Sequence, residues 1–258
     1  MPIKDQTGLS WDADIVRYGK GLFETMLCRD GGLNFLEEHL ERMRDSSEKL
    51  GIGFDYLEQA KEDIRRKKND FQENSVVRLT LCDEGWHIAV RENPYRKEQY
   101  RAGLSLCLSP YRRGESPLYE HKTTCYLENL LAMREAARRG FDASIWEDME
   151  GNLLEAAHAN IFFEREGRYF FPSEKNFLVG IMLKNIKRIL KLSGYNIEQR
   201  KISVCEISGF TGAFLCNSVM GVMPVRRIED IHFTVQQEIS DRMNVLIREV
   251  GRGSQSTY

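Results

Sequence analysis

No segment of this chain is long and apolar enough to be read as a membrane span. The longest uncharged run, Ile207 to Val225, is interrupted by Gly209, Gly212, Asn217, Ser218, Gly221 and Pro224, and reads as buried strand and loop. Charge of one sign is also missing: 37 basic and 39 acidic side chains leave a formal net charge of −2. Nucleic-acid scaffolds and membrane-surface proteins usually carry a basic excess, so neither nucleic acid nor membrane is expected as a partner. Cysteine is sparse and scattered. Cys28, Cys82, Cys107, Cys125, Cys205 and Cys216 contain no C-x-x-C pair, and the five histidines lack ligand spacing, so no metal site is expected. The thiols read as reduced, mostly small core residues of a cytoplasmic protein. Residues 1–5 carry no apolar signal-peptide core. Neither a G-x-S-x-G elbow nor a Walker loop occurs. Gly19-Lys20-Gly21-Leu22-Phe23-Glu24 has Glu where a dinucleotide loop needs its third glycine.

What is present is ordinary for a folded enzyme-sized protein: 258 residues, 41% hydrophobic and 29% charged, enough to bury a sizeable core. Leu36–Leu50 sets Leu36, Leu40, Met43 and Leu50 on one side and predicts an amphipathic helix closed by Gly51. A second helix, about Tyr56–Asn69, ends in the basic run Arg65–Lys68, read as a solvated helix end. Ser75–Cys82, Trp86–Arg91 and Gly103–Leu108 predict strands. The polar stretch Ser109–Pro117, with two prolines and a glycine, marks a boundary between a smaller lobe (1–110), a linker (111–120) and a larger lobe (121–258). Beyond it come a helix at Tyr126–Arg139, short strands at 143–147, 152–156, 160–164 and 168–171, and a helix at Val179–Leu192. Strands near Ile197–Ile202 and Ala213–Asn217 precede a last helix at about Val235–Arg248, with a frayed tail from Gly251. Helices and strands mix without regular βαβ alternation, so the expected class is α+β in two lobes rather than a doubly wound sheet.

Four sets of residues, in order, carry a resemblance. They are Tyr18-Gly19-Lys20-Gly21-Leu22-Phe23-Glu24-Thr25; His39-Leu40-Glu41-Arg42-Met43; Lys122 to Asn129 followed by Glu155 to Phe162; and Gly180-Ile181-Met182 with Cys216 to Val225. Together they resemble the fold-type IV enzymes that use pyridoxal 5′-phosphate (PLP), a group containing branched-chain and D-amino-acid aminotransferases and 4-amino-4-deoxychorismate lyase. The resemblance spans nearly the whole chain and implies a two-lobed fold with the cofactor in the inter-lobe cleft.

It also implies roles. The amine that holds the cofactor's aldehyde falls at Lys122. The carboxylate that keeps the pyridine nitrogen protonated falls at Glu155, and the local pattern agrees: Asn152-Leu153-Leu154-Glu155-Ala156 leaves a turn as an apolar strand, where a lone Glu needs a partner if buried. The phosphate falls to Ile181 and Met182 at a helix N-terminus, to Ser218 and Val219, and to Arg42. Arg78, Arg112, Tyr126 and Thr25 are further pocket candidates, Arg78 as a carboxylate contact. Within the group, the segments around Gly180 and Cys216 and the short stretch from Lys122 to Tyr126 look like 4-amino-4-deoxychorismate lyase. That enzyme releases 4-aminobenzoate and pyruvate, a step toward folate. The alternative is an aminotransferase acting on D- or branched-chain amino acids with 2-oxoglutarate; a non-catalytic protein that kept the fold is a third reading. A small-molecule amine is the expected substrate and a homodimer the expected assembly. The chain departs from the family in three places. Lys20 stands where an acidic residue is usual, Cys82-Asp83-Glu84-Gly85-Trp86 replaces a Gly/Arg-rich turn, and the strand before Tyr18 is short or diverged.

Overall fold

A computed structural model describes residues 9–255; the opening pentapeptide and the end of the expected tail lie outside them. The chain divides into two compact units. One takes in the chain up to Pro94, His121–Tyr126 and the chain from Val250 on; the other takes in Tyr95–Glu120 and Leu127–Glu249.

Among the described residues the first unit opens with a short helix α1 (Asp14–Tyr18) and continues through β1 (Gly21–Arg29), β2 (Gly32–Leu33), α2 (Leu36–Lys49), α3 (Leu57–Arg66), β3 (Ser75–Cys82) and β4 (Gly85–Glu92). Its sheet is antiparallel in the order β2-β1-β3-β4. Alternation along the strands decides what faces the helices. Leu22, Glu24 and Met26 of β1 stand opposite Leu81, Leu79 and Val77 of β3, and all the apolar members of this row pack with Leu36, Leu40 and Met43 of α2 and Ala60 and Ile64 of α3. The alternate row, Phe23 and Thr25 with Thr80 and Arg78, points the other way. The basic end of α3 is tied down by carboxylates: Arg65 meets Glu37, and Arg66 and Lys67 meet Asp63.

The second unit holds α4 (Lys97–Ala102), β5 (Leu104–Arg113), α5 (Leu127–Arg138), β6 (Ala143–Asp148), β7 (Leu153–Ala156), β8 (Asn160–Arg165), β9 (Arg168–Pro172), α6 (Ile181–Leu192), β10 (Ile197–Arg200), β11 (Gly212–Asn217), β12 (Gly221–Ile228) and β13 (Ile231–His232). The last helix, α7, spans Gln237–Gln255. A mixed sheet runs β10-β9-β8-β11-β12-β5-β6-β7, with β13 on β12. One face buries Leu106, Ile145, Ile161, Phe163, Phe170, Leu215 and Met223. On the other, Phe162 stacks between Phe171 and Phe214 with centroids 5.3 and 5.1 Å away.

The α+β class is as expected, and three details differ. β5 runs on through Arg113 into the expected linker, which also holds a 3-10 turn at Pro117–Glu120, and the chain first passes from one unit to the other after Pro94. β12 contains Pro224 and was not expected as a strand. Proline is tolerated there because β12 pairs with β5 only from Val225 onward, so its missing N–H breaks no bond to that neighbour. And α7 continues past Gly251, where fraying was expected.

Candidate active site

Lys122 lies in a segment clamped onto the start of β1. The Phe23 amide donates to the Lys122 carbonyl and the Thr124 amide to the Gly21 carbonyl, both at 2.9 Å, and Thr124 Oγ1 donates to the Gly19 carbonyl. This contact explains the Gly19-x-Gly21 pair better than a phosphate loop does. A Cβ on Gly21 would sit 2.8 Å from Thr124 Oγ1 and 3.0 Å from the Leu81 carbonyl oxygen; one on Gly19, which has φ +68°, would sit 2.8 Å from Cys125 Sγ. The left-handed conformation alone costs a non-glycine residue roughly 1–2 kcal/mol. Gly19→Ala is therefore expected to lose at least about that much stability in a urea titration. An unchanged midpoint would contradict this packing.

The same segment presents its cation to an aromatic ring. Lys122 Nζ stands 4.5 Å from the Phe23 ring centroid, the Arg78 guanidinium carbon stands 3.8 Å from it, and Tyr126 meets Phe23 edge-on at 5.5 Å and 83°. Thr25 lies opposite Arg78 in the strand register. Burial presses the Arg78 pKa below its ordinary value, with Tyr126 acting the other way and Arg91 adding to the depression. Among the described residues Arg78 has no carboxylate partner, so this row of the sheet offers an uncompensated cation next to an amine.

On the helix side of the sheet, a carboxylate sits in an apolar row. Glu24 is 1% exposed and takes Arg42 through both oxygens, Nε at 2.8 Å and Nη2 at 2.6 Å, and His39 Nδ1 at 2.5 Å. Burial pushes the Glu24 pKa up, but Arg42 and then His39 outweigh it and bring the carboxyl down to about 2. Burial also holds His39 below its usual pKa, against the pull of Glu24. An ionised Glu24 only accepts, so the neutral imidazole must carry its proton on Nδ1 and leave Nε2 as an acceptor. Nε2 is buried with no hydrogen-bond partner among the described residues. Glu24 was not among the candidates; a lone acid within Gly21-Leu22-Phe23-Glu24-Thr25-Met26-Leu27 was the signal.

In the second unit, the tight hairpin between β7 and β8, closed by the Ala156–Ala159 bridge, brings Glu155 beside Asn160. Glu155 is paired at 2.8 Å with Arg113, a buried arginine at the end of β5. Arg113 is itself fixed by Asn129 at 2.8 Å, by Glu128, and by the faces of Tyr119 and Trp146. Strand alternation separates it from Arg112, which is exposed and turned to Glu147 and the Met149 carbonyl. Arg112 is thus placed away from Glu155, and its neighbour Arg113 is the arginine that pairs with that carboxylate.

Gly180 is the N-cap of α6, and among the described residues no side chain caps this N-terminus. Ile181 and Met182 are 2% and 3% exposed, so their amides lie at a buried helix start with its partial positive charge. In the turn after β11, Asn217 Oδ1 already takes the Val219 and Met220 amides at 2.9 Å. This turn therefore offers an anion the hydroxyl and amide of Ser218 rather than the amide of Val219.

These donor sets suit PLP: an amine at Lys122, a carboxylate at Glu155, a helix start at α6 with no side-chain cap, and Arg42, whose Nη1 takes no part in the Glu24 pair. The first unit holds Thr25, Arg42, Arg78, Lys122 and Tyr126; the second holds Arg112, Glu155, Ile181, Met182, Ser218 and Val219. Among the described residues, no group of three or more His, Cys, Asp or Glu is arranged to hold a metal ion, and no helix is long and apolar enough to cross a membrane.

The fold is that of solved enzymes. The 4-amino-4-deoxychorismate lyase of Pseudomonas aeruginosa superposes with a TM-score of 0.82 at 24% identity, over 95% of this chain and 96% of that one. The branched-chain aminotransferase of Thermoproteus uzoniensis, solved with norvaline, superposes at 0.86 with 22% identity, over 99% and 93%. In sequence, the chain is 26% identical over 258 residues to a probable branched-chain-amino-acid aminotransferase of Rickettsia felis, covering 92% of this chain and 87% of that protein. The fold, together with the family that the sequence matches, defines a PLP-dependent enzyme of fold type IV. Residues 21–228 match the amino-transferase class IV family, and the chain belongs to it.

Proposed function

We propose that this enzyme is a lyase that converts 4-amino-4-deoxychorismate to 4-aminobenzoate and pyruvate. The observation that carries the reading is the placement of the Lys122 amine and the Arg78 guanidinium over one aromatic ring, with Tyr126 at its edge. An amine, a cation with no carboxylate partner among the described residues, and aromatic walls suit a planar ring amine that carries carboxylates. The lyase-named structure and the family membership are consistent with it.

Bound PLP would supply an electron sink for the charge that develops at the amine-bearing carbon. The remaining work falls to the chain. In the first unit, Lys122 would hold the cofactor's aldehyde, and Arg42, held by Glu24, would turn its remaining N–H groups to the phosphate. Lys122 Nζ would take the proton from the amine-bearing ring carbon and return it to the departing pyruvyl group, so no net proton is consumed. Arg78 fixes a substrate carboxylate, and Phe23 and Tyr126 keep water from the amine. In the second unit, Glu155 would accept the pyridinium N–H, while the α6 amides and Ser218 would hold phosphate oxygens.

A second reading, a branched-chain aminotransferase, is favoured by the relative from Rickettsia felis. The assay that separates them omits any keto acid. Pyruvate and 4-aminobenzoate released in equal amounts without an acceptor support the lyase; turnover only when 2-oxoglutarate is added defeats it. The reading includes a cytoplasmic homodimer, for which light scattering should give twice the 30.0 kDa chain mass.

A further inference from the structure

Asn160 opens β8 and is 5% exposed. Its Nδ2 donates to Glu155 Oε2 at 3.3 Å and to the Leu178 carbonyl at 2.8 Å, and its Oδ1 accepts the Gly180 amide at 2.9 Å. One carboxamide thus ties the end of β7 to the residue that starts α6. Its two N–H groups and its carbonyl are all engaged, which leaves the amide a single orientation. Gly180 is adapted to the contact: a Cβ there would lie within van der Waals overlap of Asn160 Oδ1.

We propose that Asn160 is a positioning residue that sets the spacing between Glu155 and the N-terminus of α6. The inference rests on the reading above, in which Glu155 meets the pyridine nitrogen and the α6 amides meet the phosphate. The cofactor ring and its phosphate are a fixed distance apart, so an error at one end of the cradle is felt at the other. An asparagine that served the fold alone would not link the two.

The test titrates apo-enzyme with PLP and, separately, with pyridoxal, which lacks the phosphate, following the visible absorbance band. Asn160→Ala should weaken PLP roughly 10–100-fold, the loss expected for hydrogen bonds to a charged group. It should also shrink the affinity advantage of PLP over pyridoxal. Combined with Glu155→Gln, the losses should fall short of their product, as for residues in one network. Asn160→Asp keeps the acceptor for Gly180 but sets a second carboxylate against Glu155. It should hold most of the phosphate advantage while shifting the pH at which the bound-cofactor band titrates, and it serves if Asn160→Ala does not fold. Gly180→Ala should weaken PLP in the wild-type background and add little to Asn160→Ala. Multiplicative losses for Asn160→Ala and Glu155→Gln, or an Asn160→Ala enzyme with wild-type affinity and band, would overturn the proposal while leaving the cofactor reading intact. Wild-type affinity and band in Glu155→Gln would overturn the assignment of Glu155, and this proposal with it.

Discussion

Lys122→Ala is expected to lower turnover by roughly 10⁴–10⁶-fold, the range seen when a covalent catalytic group is removed and binding is kept. The loss should fall on kcat, and the protein should remain folded. Lys122 is held by its backbone carbonyl, which accepts the Phe23 amide at 2.9 Å, and that bond survives truncation of the side chain. The flanking Leu22–Thr123 bridge and the Thr124 contacts with Gly19 and Gly21 survive as well. A chemical readout stands beside the kinetic one. Borohydride reduction of the wild-type holoenzyme, followed by digestion and mass spectrometry, should leave a pyridoxyl mass on the peptide containing His121–Tyr126 and on no other. In Lys122→Ala that mass should vanish. A pyridoxyl mass on another lysine, or turnover within tenfold of wild type, would remove Lys122 from the chemistry.

The outcome bears on what was legible in the sequence. Lys122 carries no local signature: a lysine before a helix resembles any surface lysine, and only the ordered set of motifs singled it out. Its surroundings were legible in principle, because Gly19 and Gly21 are glycines for a reason that lies about a hundred residues away, in Thr124 and Cys125. Sequence reading rejected that pair as a dinucleotide loop and kept it only as part of the family resemblance, since contact order of that kind leaves no periodic trace. The resemblance assigned Glu155, and the pattern that agreed with it, a lone acid in an apolar strand, applies with equal force to Glu24, which sits deeper. Arg112 and Arg113 differ only in which way a strand points them, and β5 was expected to stop at Leu108, so the alternation that buries Arg113 was not available. β12 was hidden by Gly221 and Pro224, two residues that read as breakers. At the edge of a pairing register they cost little. The helices and strands with clean periodicity were legible; residues fixed by distant partners were not.

Glu24→Leu should be the most destabilising single change in the first unit. The substitution fits the apolar row but leaves Arg42 and His39 buried beside an apolar side chain, and breaking a buried pair by removing one partner costs about 3–5 kcal/mol. At roughly 2–4 °C per kcal/mol for a chain of this size, the thermal midpoint should fall by about 6–20 °C. The pH dependence follows from the same geometry. Glu24 titrates at about 2 in the fold and near 4.5 in the open chain. Its stabilisation is therefore present above the open-chain value and is lost as pH falls from about 5 toward 2, amounting to about 3 kcal/mol. His39 works in the same direction. Held neutral in the fold but free to charge in the open chain, it favours unfolding as pH drops through 6.5. Urea midpoints of wild type and Glu24→Leu should thus differ widely at pH 7 and converge in acid. PLP affinity should fall in the variant too, because Arg42 owes its orientation to both Glu24 oxygens. A gap in midpoint that stays constant from pH 7 to pH 3 would mean that Glu24 stabilises the unit by packing rather than as an ion. The role of that carboxylate in orienting Arg42 would then have to be abandoned.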